Sequence, residues 1–221
     1  MKMISRMWLR TRLCAINLIE DCKGIAATEF AVIVPIMLVM FFGTVEFSSG
    51  VAVDRKVTIV ARTVSDLTSQ APPATPAQTY STVNDTYLQN VFTASISILQ
   101  PYTAVPTQAT VSQVYVDTNN IATVQWSKAA TIGAGATQAG LTTSGHNPGD
   151  VITLPSTLLV PKTYLIFSEV RYLYTPTVGY VMGKAGVTLS DVSYTRPRQV
   201  VCVVYNNVPI LINSNTTCPT P

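Results

Sequence analysis

The sequence predicts an α+β protein: a long N-terminal helix, apolar in its first half and amphipathic in its second, then a shorter helix packed on a small antiparallel β-sheet. Three observations carry this. Between Ile25 and Val45 the chain holds one charged side chain, Glu29, in a run long enough to cross a bilayer as a helix. Gly50, Val53, Val57, Val60, Val64 and Leu67 then recur in alternating steps of three and four, which places them on one stripe of a helix. Beyond Pro101 the spacing changes to Thr- and Val-rich runs separated by turn-forming clusters, the signature of strands.

Charge separates the chain into two parts. Charged residues make up 11% of the sequence, well below the usual quarter, and the formal net charge is +3. Residues 1–23 hold that whole excess: Lys2, Arg6, Arg10, Arg12 and Lys23 stand against Glu20 and Asp21. The remainder is balanced. A neutral body argues against nucleic-acid binding, which leaves a basic patch, and a basic leader is the pattern of a segment retained on the cytoplasmic side.

The first helix is expected over residues 25–69. Its apolar run outlasts the h-region of a secretory signal, and no small-x-small cleavage site closes it, so it reads as a retained anchor. Pro35 removes one helix hydrogen bond, which membrane helices tolerate. Gly43 and Gly50 allow close helix approach. Asp54, Arg55, Lys56, Arg62 and Asp66 lie off the apolar stripe, which either packs on the chain's own body or meets a neighbouring subunit. Gln70-Ala-Pro-Pro-Ala-Thr-Pro76 ends the helix and opens a linker, residues 70–79.

The body occupies residues 80–221. Tyr80, Val83, Tyr87, Val91 and Ile98, with Leu88 and Phe92, predict a second helix over about 80–99 that Pro101 ends. Thr110–Val116 and Ile121–Ser127 flank Asp117-Thr-Asn-Asn120 and read as a hairpin. Residues 133–149 are glycine-rich without periodicity and read as a long surface loop, with a recognition loop as the functional alternative. Further strands are expected at 164–174, 187–194 and 199–205.

Chemistry is sparse in this body. The glycine-rich loop lacks the Gly-Lys-Ser/Thr ending and following helix of a phosphate loop. His146, the single histidine, has no second histidine or cysteine near it in sequence and is a poor metal ligand. Asp85, Asp117, Asp150, Glu169 and Asp191 are scattered, and Asp117 with Asn119 and Asn120 makes a turn rather than a calcium loop. No catalytic motif appears, so the expectation is a protein that is not an enzyme and needs no cofactor or metal. Cys14 and Cys22 lie in the leader. Cys202 and Cys218, exported to an oxidising compartment, can close a short loop as a disulfide; otherwise they are two buried thiols.

Glu29 is the anomaly, because a carboxylate in a membrane segment is costly without a partner or a purpose. It is the fifth residue after Gly24, which follows Lys23. Gly24-Ile-Ala-Ala-Thr-Glu-Phe-Ala-Val-Ile-Val-Pro-Ile36 closely resembles the opening of TadE-like proteins, minor pilins or pseudopilins of the tight-adherence (Tad/Flp, type IVc) pilus. Val124-Gln-Trp-Ser-Lys-Ala129, Leu154-Pro155, Glu169-Val-Arg-Tyr172 and Arg196-Pro-Arg198 are similar to the same family. The likeness is strongest over residues 24–70.

The resemblance implies that a prepilin peptidase removes residues 1–24 by cutting between Gly24 and Ile25. The new amine of Ile25 would then pair with Glu29, its own or a neighbour's, and set the register of assembly. It also implies a single-pass protein of the bacterial inner membrane, N-terminus cytoplasmic and body periplasmic, that can enter the extracellular pilus. Its partners would be the peptidase, other minor pilins, the major pilin and the inner-membrane assembly platform. Major pilins of this type are small and nearly all helix, so the sizeable body favours a minor subunit. The competing expectation is an unprocessed, membrane-anchored periplasmic scaffold or adhesion protein.

Overall fold

The computed structural model describes residues 24–176, 186–206 and 218; the leader, with Cys14 and Cys22, lies outside them. Helix α1 spans Ile25–Ser69 with Pro35 inside it, and it stops where the proline cluster begins. Ser69 Oγ and Gln70 Nε2 donate to the carbonyl and carboxylate of Asp66 and close the last turn. By contacts the chain divides into two compact units, one ending at Phe47 and the other running from Ser48. The helix is long and apolar enough to cross a membrane. In the first unit Phe30, Val32, Met37, Met40 and Phe41 are all exposed, a surface that water does not favour.

The second unit takes in the amphipathic half of α1. Val53, Val57, Val60, Ala61 and Val64 are completely buried, and Leu67 packs beside them. Of the two destinations open to this stripe, the structure realises the chain's own body. Polar contacts fix the packing. Lys56 Nζ donates to the carbonyls of Ile98 and Gln100 at 2.8 and 2.6 Å, and Ser168 Oγ donates to the Ala61 carbonyl at 2.6 Å. Arg198 pairs with Asp66 at 2.5 Å.

After the linker comes strand β1 (Tyr80–Val83), then helix α2 (Asp85–Ile96) and a 3-10 turn at Ser97–Leu99. The second helix therefore starts later than its apolar spacing suggests. Asn84 is extended (φ −123°), and its side chain accepts the Tyr87 N–H at 2.8 Å as an N-cap. Tyr80 and Val83 are placed by strand pairing instead. The helical face that remains buries Leu88, Val91, Phe92 and Ile96.

Strands β2 (Thr107–Val116), β3 (Ala122–Thr131), β4 (Gly140–Thr142), β5 (Thr163–Tyr174) and β6 (Val187–Thr195) form an antiparallel sheet in the order β4-β3-β2-β5-β6. The expected hairpin is present, with Asp117 Oδ1 accepting from the N–H groups of Asn119 and Ile121 across the turn. Strand β7 (Cys202–Tyr205) lies at its expected position but outside this sheet. It pairs in parallel with β1, Tyr80 opposite Cys202 and Val83 opposite Tyr205.

One face of the five-stranded sheet, which we call inner, carries Ala109, Val111, Ile166 and Val170 against α1 and α2 in the main core. The outer face carries Val114, Val116, Leu165 and Phe167, covered by Leu154 with Ile152, Leu158 and Leu159. Cys202 and Cys218 sit with Tyr164 and Val204 in a third cluster, their Cα atoms 6.0 Å apart, within reach of a disulfide. In an oxidised sample, Cys218→Ser is expected to cost about 3 kcal/mol, the loop-closure value for a loop of this size. Urea unfolding with and without dithiothreitol checks this; a midpoint indifferent to the reductant would mean that the thiols stay free.

Candidate functional site

Two places in the molecule concentrate unusual chemistry, one in each unit. The first is the start of α1. Gly24 directly precedes the helix and is exposed, with open space where a Cβ would stand. Ile25 is the first helical residue and Glu29 follows four residues on, about one helical turn along the backbone. Side chains on a helix lean toward its N-terminus, the end at which Ile25 stands. Glu29 is exposed and, with Thr28, Val32 and Ile33, lines a shallow apolar hollow. A carboxylate set in a greasy strip needs a positive partner when that strip is covered.

The second place is built by strand alternation. On the outer face of β2 and β5, Gln108 stands opposite Arg171 and Thr110 opposite Glu169. The segment after β4 folds over these residues. Ser144 Oγ and Ser127 Oγ lie 2.5 Å apart, and Ser127 continues to Ser112 at 2.6 Å. His146 Nε2 lies 2.7 Å from Glu169 Oε2, and a carboxylate only accepts, so Nε2 carries the proton. Arg171 is 3.9 Å from the other Glu169 oxygen. Gln108, Thr110, Gly145, His146, Glu169 and Arg171 enclose a cavity of about 150 Å³.

A wider cleft of about 480 Å³ shares His146 and is lined further by Asp85, Ser127, Lys128, Thr142, Ser144 and Asn147. Tyr205 stands beside its charged groups, with its hydroxyl donating to Asp85 and Lys128 Nζ 4.6 Å from its ring centre. Burial first, and then the bond to the Asp85 carboxylate, raise the Tyr205 hydroxyl above the ordinary tyrosine range. Tyr194, stacked on Phe167 at 5.1 Å, is raised by burial and by the nearby Glu169 charge. Both phenols stay protonated through the physiological range.

The sequence singled out Gly24, Ile25 and Glu29, and the helix begins at the second of them. It also singled out His146, but as an isolated histidine. Its partner Glu169 is 23 residues away and meets it only through the fold-back of the glycine-rich segment. Gln108 lay outside the expected strand and Thr110 only opened it; the alternation that aims them was readable, while the register that puts them beside Glu169 and Arg171 was not. Among the described residues no three of His, Cys, Asp or Glu converge on a metal site.

Residues 24–66 match the family model of TadE-like proteins. The match covers the junction at Gly24, the apolar segment with Glu29 and most of the amphipathic stripe. No curated protein and no solved structure matches the chain.

Proposed function

We propose, from the TadE-like segment formed by residues 24–66, that this chain is a minor pilin of a Tad-type pilus, entering assembly through α1. The observation that carries the reading is a single carboxylate, Glu29, in an otherwise uncharged segment at helical spacing from Ile25, directly behind a glycine suited to cleavage. Removal of residues 1–24 by a prepilin peptidase would create an ammonium at Ile25. In an apolar helix bundle an ammonium and a carboxylate about 4 Å apart attract by about 4 kcal/mol at an effective dielectric of 20. Leaving either one unpaired costs several kcal/mol. A subunit gains this energy only in the register that brings the two charges together.

The exposed apolar face of α1 supports membrane anchoring before assembly, and the positive leader supports a cytoplasmic N-terminus with the body in the periplasm. The partners in this reading are the peptidase, other minor pilins, the major pilin and the inner-membrane platform. The role is structural rather than catalytic. Pili sheared from cells and mapped by mass spectrometry test it: the expected result is peptides of this body in the pilus fraction with a mature N-terminus at Ile25. A protein confined to the membrane with its N-terminus at Met1 would leave the anchored scaffold as the reading.

A further inference from the structure

The end of the second unit at which α1 enters is built from four segments. The Tyr174 ring of β5 lies against Gly50, where an added Cβ would stand 3.6 Å from Cε1. Tyr174 pairs in turn with Val187, and Leu173 with Thr188, at the start of β6. The Leu173 N–H donates to the Pro106 carbonyl and the Tyr172 hydroxyl to the Thr103 carbonyl, so the turn before β2 closes the same end. Val51, Val105, Leu173 and Val187, one from each segment, are 38–47% exposed.

Charge sets this end apart. Residues 97–107, 172–176 and 186–190 carry no charged side chain, and Lys184 is the single one between Tyr172 and Ser190. On α1 the first charges after Glu46 are Asp54 and Arg55, about one turn beyond Gly50. The opposite end also exposes apolar groups, Ile121, Val151 and Val160. There, however, Asp150 adjoins Val151, Lys162 lies two residues past Val160, and both are exposed. Sinking such charges toward hydrocarbon is costly, and the α1 end presents none of them. One exposed valine is ordinary; four apolar side chains from separate segments at an uncharged end form a patch.

What covers the patch follows from the chain itself. Val51 stands six residues after Val45, the last residue of the uncharged run, about 9 Å along a helix. A bilayer that holds that run therefore has its surface within reach of this end. We propose that the α1 end of the body rests on the bilayer, with Val51, Val105, Leu173 and Val187 at the boundary between headgroups and acyl chains. Tyr102, half-buried at the same end, is of the residue type that settles at headgroup level. The inference rests on the membrane anchoring of the proposed function and adds a second contact with lipid, made by the body.

The test places the full chain, one copy per disc, in phosphatidylcholine nanodiscs with or without bromine near the headgroup end of the acyl chains. Bromine quenches tryptophan only at close approach. Leu173→Trp and Val187→Trp report on the patch, Ile121→Trp on the opposite end and Phe42→Trp on the anchor. Each is read as the difference from the unsubstituted protein, which keeps its own Trp8 and Trp126. Both patch reporters and Phe42→Trp are expected to lose most of their added emission in brominated lipid, and Ile121→Trp to keep it. Adding Val105→Asp to Leu173→Trp is expected to restore emission without changing the circular dichroism spectrum. Quenching of Phe42→Trp with both patch reporters bright would overturn the proposal and leave the anchor standing. Equal quenching of Ile121→Trp, or no effect of Val105→Asp, would overturn it as well. A bright Phe42→Trp would remove the membrane reading, and the proposal with it.

Discussion

Glu29→Ala is expected to remove this protein from sheared pili while leaving its amount in the membrane and the cut at Gly24 unchanged. The carboxylate lies four residues inside α1, beyond the junction, so its loss does not alter the residues on either side of the cut. It does take away the one charge that can meet the ammonium of Ile25. An attraction of about 4 kcal/mol corresponds to roughly a thousandfold in an assembly equilibrium. Immunoblots of pilus and membrane fractions read both quantities at once, and Glu29→Asp should retain part of the signal because the charge is kept but drawn back. Incorporation of the alanine variant at the normal level would remove the pairing from the account, whatever the state of the N-terminus.

Trp126→Ala is expected to be the most damaging single change in the body, at about 3–5 kcal/mol for the vacated volume alone. Trp126 is 7% exposed and its indole N–H donates to the Val203 carbonyl at 2.7 Å, while Gln113 Oε1 accepts the Val203 N–H at 2.5 Å. Two side chains of the large sheet thus satisfy both backbone groups of one residue in β7. Gln113→Leu would strand that N–H at about 1–3 kcal/mol. The two substitutions act on one residue, so the double variant should cost less than their sum. Urea unfolding followed by far-ultraviolet circular dichroism measures all three; strict additivity would show that β7 is held by something else. Against a typical total of about 5–15 kcal/mol, the double loss brings the body close to unfolding.

These contacts also mark where the sequence stopped being informative. The extent of α1 was legible because period, breaker and composition agree at Ser69 and the prolines that follow. The hairpin was legible because its turn is local: Asp117 closes it with its own side chain. Strand β5 announced itself by length. Strand β1 did not, since Tyr80 and Val83 fit a helical stripe as well as a strand, and only β7 decides between them. The same limit applies to the sites. Glu29 and Ile25 are neighbours in sequence and were visible together. His146 and Glu169 are brought together by the fold-back of residues 133–149, which carry no periodicity to predict it.

The parallel pairing of β1 with β7 bears on how this body comes into being. Tyr80 leaves the ribosome long before Cys202, 122 residues later in the sequence, can give its strand a partner. Everything between them, both sheet faces and α2, is synthesised during that wait. Contacts of such long sequence separation form slowly and only when the whole chain is present. A chain truncated before β7 would therefore leave β1 without its partner strand, so the two-stranded pairing waits on the synthesis of nearly everything that lies between them.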